Sequence, residues 1–178
     1  NTNEYSVAGD LLNDLWCYKN QRWTKNEPQS QLPPERHSFA LCVFGNLLYI
    51  FGGVGPNGVL DDIWSYNPDT NAWENKSWNS NQYNPPRRYG HSAVVIGNEI
   101  YLIGGKTSNG SLSSFIYKYN PATQEGTMIS VPFQPSPGVI YGYAAWVIAN
   151  KINIFGGFGG NDNPKYTNEG WILDLSTK

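Results

Sequence analysis

The chain has 178 residues, of which 39% are apolar and only 15% are charged, and its formal net charge is −2. Nineteen glycines, twelve prolines and a 15% aromatic content indicate many turns and many large flat side chains. This composition is typical of an all-β protein with short strands rather than a helical bundle. The twelve Lys and Arg residues are scattered, which excludes the basic stripe of a nucleic-acid binder. No apolar run approaches the roughly 20 residues that cross a bilayer.

The start of the chain and its cysteines bear on location. No basic segment followed by an apolar stretch opens the chain, so no signal peptide is visible, although the first residue is Asn1 rather than Met. The two cysteines, Cys17 and Cys42, are too few for a disulfide framework and fall on different kinds of strand. We therefore expect two free, buried thiols and a reducing, cytoplasmic location.

A Gly-Gly pair recurs at residues 52–53, 104–105 and 156–157, always 52 residues apart. An apolar strand precedes each pair, a Gly-Asn or Ala-Asn turn precedes that strand, and a Pro-rich segment lies further upstream. Each period predicts four strands, which we call a, b, c and d, with b ending at Gly-Gly. A four-stranded sheet repeated every 40 to 50 residues or so is a blade of a β-propeller.

Taken in chain order, residues 1–32 hold strands b, c and d of a first blade, with strand b at residues 5–9. Residues 33–84 and 85–136 form complete second and third blades, and residues 137–178 supply strands a, b and c of a fourth. Strand a is predicted at residues 39–44, 91–96 and 143–148. Aromatic or apolar pairs two residues apart mark strand c in the four copies: Trp16 and Tyr18, Trp64 and Tyr66, Tyr117 and Tyr119, Trp171 and Leu173.

The segment Pro-Pro-Arg-Arg-Tyr-Gly-His-Ser-Ala-Val-Val-Ile-Gly-Asn-Glu-Ile-Tyr-Leu-Ile-Gly-Gly, residues 85–105, resembles the kelch repeat. The later Tyr-Asn-Pro-x-Thr turn and Trp extend this resemblance, which covers nearly the whole chain. The kelch repeat that it resembles is also the repeat of the central domain of galactose-oxidase-like proteins. It implies an all-β, kelch-type β-propeller of which about three and a half blades are visible. Because kelch propellers commonly close with six or seven blades, we expect a longer chain or a multi-subunit complex to supply the others.

The residues do not form a recognisable catalytic or metal constellation. The chain has only two histidines, His37 and His91, and no Cys/His cluster of the kind that binds metals. Asp14, Asp62 and Glu169 occupy matching positions in different repeats, which indicates a repeated structural role rather than a pair of catalytic carboxylates. The Gly-Gly pairs lack the context of a nucleotide-binding loop. We therefore expect no enzyme activity and no cofactor.

Arg36 and Arg88 are the leading candidates for contact with a partner, because each follows a Pro-Pro turn at the start of strand a. By resemblance, arginines at this position in kelch substrate adaptors contact acidic peptide groups, and a guanidinium suits a carboxylate. Alternatively, each arginine ties a loop to a backbone carbonyl or to a strand-c aspartate. The third repeat has Ile140 instead.

Other candidates for partner contact lie beside these arginines or in the b–c loops. The residues next to strand a are His37, Arg87, Tyr89 and Tyr141, and the loop residues are Asn57, Asn109, Asn161 and Asp162. The loop residues could equally form simple solvated turns. Trp16, Trp64 and Trp73 repeat regularly and are expected to pack the blades, whereas Trp78 lies outside the repeat and is expected at an exposed contact.

These features favour a non-catalytic scaffold or adaptor that binds a protein or peptide through loops at one face of a propeller. The arginines favour acidic groups on that partner, and neither a nucleic acid nor a membrane is expected to be one. Two alternatives stay open. One is an architectural subunit of a large cytoskeletal or ciliary assembly, and the other is a kelch-like enzyme or carbohydrate-binding module of a larger secreted protein.

Overall fold

A computed structural model describes residues 11–78, 84–113, 115–129, 140–159 and 165–175. All regular structure in these ranges is β, in eighteen strands. No helix long and apolar enough to cross a membrane occurs among them.

Thirteen of the strands form four antiparallel sheets that follow one another along the chain. The first sheet pairs β1 (Leu15–Lys19) with β2 (Arg22–Asn26). The second has the order β3 (Ala40–Phe44), β4 (Leu47–Gly55), β5 (Gly58–Asn67), β6 (Ala72–Asn75). The third has the order β8 (Ser92–Ile96), β9 (Glu99–Ile103), β11 (Ile116–Asn120), β12 (Glu125–Ile129). The fourth has the order β14 (Ala144–Ile148), β15 (Lys151–Phe155), β18 (Gly170–Asp174).

The remaining five strands are two residues long and form two further small sheets. One pairs β7 (Arg88–Tyr89) with β10 (Lys106–Thr107). The other has the order β13 (Ile140–Tyr141), β16 (Phe158–Gly159), β17 (Lys165–Tyr166). These short strands lie in the segments that precede strand a and in the loops that connect strand b to strand c.

The strands predicted from the repeat are confirmed in the second and third sheets, which show the a-b-c-d order in full. The fourth sheet contains a, b and c, and the first contains c and d. The strand expected at residues 5–9 lies outside the described residues. The assignment of residues 1–32, 33–84, 85–136 and 137–178 to individual blades stays a prediction, because some of its boundaries lie outside the described ranges.

Backbone hydrogen bonds join successive sheets at the start of strand a. The amide of Gly90 donates to the carbonyl of Ser38 at 2.9 Å, and the amide of Gly142 donates to the carbonyl of Gly90 at 2.8 Å. These three residues are 52 positions apart, so the repeat period in the sequence is also the period of this contact. The bonds fix each sheet against its neighbour at the innermost strand.

The hydrophobic core lies between the sheets rather than within one of them. Alternate residues of each strand face the next sheet, because successive side chains in a strand point to opposite faces. Ala40, Phe51 and Ile63 of the second sheet pack in one buried cluster with Leu102 and Tyr119 of the third. A second buried cluster joins the third and fourth sheets. Burial of this kind is the main source of stability in such repeats.

The tryptophans differ in how closely they follow the sequence prediction. Trp64 and Trp73 are buried together in a cluster with Tyr66, as expected of blade-packing residues. Trp16 is half exposed, so its packing role is not realised within the described residues. The expectation that Trp78 is an exposed contact is wrong. Its ring lies edge-on to Tyr119 at 5.0 Å between centroids and packs against the core between the second and third sheets.

Both cysteines are free, as predicted, and they lie on different strand types. Cys42, on the innermost strand β3, is buried, and this burial raises the pKa of its thiol to about 12. Cys17, on β1, is exposed, which corrects the expectation that both thiols are buried.

Candidate interaction face

One face of the molecule is built by the segments that precede strand a and by the loops between strands b and c. In the second sheet these meet through a bridge between His37 and Val54. In the third and fourth sheets they meet as the small sheets β7–β10 and β13–β16–β17. We call this surface the loop face. Because backbone pairing supports each of its segments, its side chains are held on a rigid frame.

Arg36 lies at this face but its guanidinium points into the protein. It forms two parallel hydrogen bonds with Asp62, from Nη1 to Oδ1 and from Nη2 to Oδ2, each 2.7 Å long. It also donates to the carbonyl oxygens of Pro34 and Gly52. Arg36 is only 7% exposed. The geometry therefore matches the second alternative raised from the sequence, in which the arginine ties a loop to a backbone carbonyl and a strand-c aspartate.

Arg88 occupies the same position one repeat later and is 2% exposed. It donates to the carbonyls of Pro86 and Gly104, as Arg36 does to Pro34 and Gly52, and also to Oγ of Ser113 at 3.3 Å. Its guanidinium carbon lies 4.7 Å from the centre of the Tyr117 ring. Burial lowers the pKa of this guanidinium, and Tyr117 partly offsets that effect. No carboxylate is paired with Arg88 within the part of the chain that the structure describes.

The loop face is therefore not lined by exposed guanidiniums of Arg36 and Arg88. Contact between either arginine and a partner stays a prediction, and it would require these groups to leave internal hydrogen bonds. In the fourth sheet Ile140 stands at this position and is buried. Sequence comparison between repeats could locate the position but could not show that the side chains turn inward.

A row of aromatic rings crosses the loop face from the third to the fourth sheet. Tyr89 and Tyr141 lie 6.3 Å apart between ring centres, Tyr141 and Phe158 lie 5.7 Å apart, and Phe158 and Tyr166 lie 5.0 Å apart. All three pairs are edge-on, which is a favoured arrangement of aromatic rings. We call these four residues the aromatic row. Tyr166, at its end, is 85% exposed.

Tyr89 and Tyr141 were candidates from the sequence, whereas Phe158 and Tyr166 were not. Phe158 follows directly after the third Gly-Gly pair, and Tyr166 lies in the loop that returns to strand c. These two residues join the row because their loop pairs with the segment before strand a, and that pairing leaves no signal in the sequence. Two-residue strands are too short to produce a periodic pattern in the sequence.

Charged side chains flank the row. The Lys106 ammonium lies 6.0 Å from the centre of the Tyr141 ring. Arg87 forms an exposed ion pair with Asp61, with Nε 3.3 Å from Oδ2. His37 is partly exposed, and its Nδ1 lies 2.9 Å from Oγ of Ser38. The structure thus brings Arg87, Tyr89 and Tyr141 to one face, and their contact with a partner stays a prediction.

The candidate residues of the loops between strands b and c differ in their surroundings. Asn57 is exposed in the tight turn between β4 and β5. Oδ1 of Asn109 accepts hydrogen bonds from Thr107 and from the amide of Ser111, so this side chain stabilises its own turn. Asn161 and Asp162 lie outside the described residues. Within the described ranges, no group of three or more His, Cys, Asp and Glu side chains is arranged to hold a metal ion.

Successive antiparallel sheets, of which two show all four strands among the described residues, pack face to face and are joined at strand a, and this arrangement defines a kelch-type β-propeller architecture. The model of the KLHDC2/KLHL20/DRC7 Kelch-repeats domain matches this chain over residues 5–105 and again over residues 74–178. The chain therefore belongs to the kelch-repeat family.

Curated relatives agree with this assignment. The chain is 30% identical over 165 residues to Kelch repeat-containing protein 2 of Saccharomyces cerevisiae, covering 86% of this chain and 18% of that protein. It is 32% identical over 142 residues to Kelch-like protein 25 of Xenopus tropicalis, covering 75% and 22%. It is 29% identical over 164 residues to Host cell factor of Drosophila melanogaster, covering 86% and 11%. The chain thus spans about a fifth or less of the length of these relatives.

Kelch-repeat relatives are in general non-catalytic modules for protein interaction. This chain shares their repeat and their fold, so its family points to a general role in protein interaction.

Proposed function

We propose that this chain is part of a non-catalytic scaffold or adaptor that binds a protein or peptide through the loop face. The observation that carries the proposal is the aromatic row, which ends in the exposed ring of Tyr166. Tyrosine is enriched at binding surfaces because it supplies a large rigid contact area and one polar group. A row of such rings on paired backbone is prearranged for contact, which lowers the entropy lost on binding.

We place the main contact on the aromatic row and Arg87 rather than on Arg36 and Arg88. Arg87 is more than half exposed, and its bond to Asp61 lies at the surface, where such pairs contribute little. Arg87 can therefore exchange Asp61 for an acidic group of a partner at little cost. The buried pair of Arg36 and Asp62 cannot be opened so cheaply, because separating it leaves two charges without partners.

The propeller itself is proposed to contain more blades than the sheets described here. We propose a six- or seven-bladed ring, completed by the same chain or by another, in a cytoplasmic protein. The exposed apolar residues on the outer face of the fourth sheet, Trp146, Ile148, Phe155 and Ile172, support this proposal. Their equivalents in the second and third sheets face neighbouring sheets.

The test compares the full-length protein with a Tyr141→Ala/Tyr166→Ala variant by affinity purification and quantitative mass spectrometry. Partners that use the loop face should be recovered at least about tenfold less with the variant, which is the loss expected from removing a binding hot spot. The matched control is Tyr18→Ala, which removes another exposed tyrosine, from β1. Equal recovery with the wild type and the double variant would refute the proposal.

A further inference from the structure

A small pocket lies between the second and third sheets, inward of the loop face. Its polar lining consists of Asp61 and Asp62 from the second sheet, Trp78 after β6, and Arg88 and His91 from the third. Its volume is about 10 Å³, close to what one water-sized occupant needs. The backbone closes tightly around it, because a Cβ on Gly52 would lie 2.7 Å from the Arg88 carbonyl oxygen and 3.4 Å from Cε1 of His91.

Four buried nitrogen atoms of the side chains that line this pocket have no hydrogen-bond partner within the described residues. They are Nη2 of Arg88, Nε1 of Trp78, and Nδ1 and Nε2 of His91. Buried polar atoms in proteins are rarely left unpaired, because each unpaired donor costs about 1–3 kcal/mol. Three of these nitrogens carry a donor hydrogen when His91 is neutral, and three unpaired donors on the residues around one pocket indicate an occupant that accepts from them.

The charge beside this pocket differs from that around Arg36, the equivalent arginine one repeat earlier. There, the carboxylate of Asp62 neutralises Arg36 through two bonds of 2.7 Å. Arg88 has no such carboxylate among the described residues, and its side-chain hydrogen-bond partners there, Ser113 and Tyr117, are both neutral hydroxyls. The ion pairs Arg36–Asp62 and Arg87–Asp61 cancel, so Arg88 leaves one positive charge beside the pocket.

The other two side chains present neutral groups. The Cε3 and Cζ3 edge of Trp78 packs against Gly126, which leaves the opposite edge of the indole, carrying Nε1, on the far side from that strand. His91 is fully buried, and its burial together with the nearby Arg88 lowers its pKa to about 3. His91 is therefore neutral near pH 7 and adds one N–H donor without a second charge.

We propose that this pocket binds one small monovalent anion of the halide class, such as chloride, between the guanidinium of Arg88, the indole N–H of Trp78 and the imidazole of His91. The anion replaces the carboxylate that Asp62 supplies to Arg36. It neutralises a buried charge that would otherwise be unfavourable, since an unpaired ion in a protein interior is costly. The site thereby ties the second sheet to the third and is independent of partner binding at the loop face.

The direct test is a crystal structure of the full-length protein grown with sodium bromide. The expected result is an anomalous bromide peak within hydrogen-bond distance of Nη2 of Arg88 and Nε1 of Trp78. A site that holds only an ordinary water molecule, without an anomalous signal, would overturn the proposal.

A solution test uses the unfolding temperature of the full-length protein at constant ionic strength, with chloride replacing gluconate in steps. Because a ligand bound only to the native state stabilises it by mass action, the midpoint should rise with the logarithm of chloride concentration. Trp78→Phe keeps the ring against Gly126 but removes the donor, so it should need about tenfold more chloride for the same rise. Arg88→Met should abolish the rise.

The control is Lys151→Met, which removes a half-exposed cation of the fourth sheet outside the pocket lining and should keep the full chloride response. If Arg88→Met does not fold, the bromide structure and Trp78→Phe still decide the question. Equal midpoints of the wild type in chloride and in gluconate would refute the site.

Discussion

Arg36 and Asp62 form a two-bond ion pair that links the start of the innermost strand to strand c of the same sheet. Both bonds measure 2.7 Å, and the side chains are 3% and 19% exposed. Asp62 also accepts a hydrogen bond from Nε1 of Trp64 at 2.8 Å. The same Asp-x-Trp contact recurs between Asp14 and Trp16 at 2.7 Å, so the aspartate is a repeated structural element.

The first prediction concerns this pair. Asp62→Asn should lower the free energy of unfolding by about 3–5 kcal/mol, because it leaves the guanidinium of Arg36 buried without a counter-charge. Asp61→Asn is the matched control, since the neighbouring Asp61 forms an exposed pair with Arg87 and should change stability by no more than about 1 kcal/mol. Urea unfolding of the two variants measures the difference. Similar losses for both would show that the Arg36–Asp62 pair is not a buried structural contact.

The second prediction concerns the Gly-Gly signature. Gly97 and Gly104 both have φ of +58°, yet a Cβ on Gly97 would meet nothing within 4 Å, whereas one on Gly104 would lie 2.7 Å from the Ile140 carbonyl oxygen. Gly97→Ala should therefore lower the free energy of unfolding by only about 1–2 kcal/mol, which is the cost of a left-handed backbone conformation for a residue with a Cβ. Gly104→Ala should cost more than Gly97→Ala by about 2 kcal/mol or more, because a backbone oxygen must also move. Thermal unfolding tests the pair, and equal losses would contradict the close approach between sheets.

The sequence repeat predicted the main sheets because their strands are long enough to show alternation and because 52 residues separate equivalent contacts. The link through Ser38, Gly90 and Gly142 shows why this period is strict: each copy must place a backbone group against the next. The small sheets on the loop face were not predicted, since two-residue strands such as β7 and β16 carry no periodicity.

The candidate site was only partly predictable. Repeat alignment located Arg36 and Arg88 but left their direction open, because an arginine after a turn can reach either solvent or a carboxylate. Trp78 was misplaced because it lies outside the repeat, and its burial depends on Gly126, a strand-d glycine that leaves room for the ring. Such contacts depend on packing between sheets, which a single sequence does not show.

The third prediction is a dependence of stability on pH that comes from His91. Its pKa falls from 6.5 to about 3 in the folded protein because burial disfavours the charged imidazole. Between these two pH values the unfolded chain binds a proton at His91 that the folded chain does not. The free energy of unfolding is therefore unaffected by His91 above about pH 6.5 and decreases as the pH falls toward 3. The slope from this one residue is at most about 1.4 kcal/mol per pH unit.

Urea unfolding of the wild type and of His91→Gln between pH 7.5 and 5 measures this slope. The variant should lose stability less steeply on acidification, since glutamine does not titrate. Asn57→Ala, at an exposed turn residue without a titratable side chain, is the control and should keep the slope of the wild type because His91 is still present. Parallel curves for the wild type and His91→Gln would contradict a buried neutral imidazole.

The fourth prediction separates the two thiols by reactivity. Burial of Cys42 raises its pKa from 9.0 to about 12, which reduces the thiolate fraction at pH 8 by about a thousandfold, and the thiolate is the reactive form. Cys17 is exposed on β1. Iodoacetamide should therefore modify Cys17 in the native protein and leave Cys42 intact, as read by peptide mass spectrometry.

Two comparisons make this labelling experiment decisive. In denaturant both cysteines should react, because unfolding returns the Cys42 thiol to water. The Cys17→Ser variant should leave Cys42 unmodified under native conditions. If Cys42 reacts as quickly as Cys17 without denaturant, strand β3 is open to solvent on the side that faces the third sheet, and the interface that buries Ala40, Cys42 and Phe51 is not stably formed.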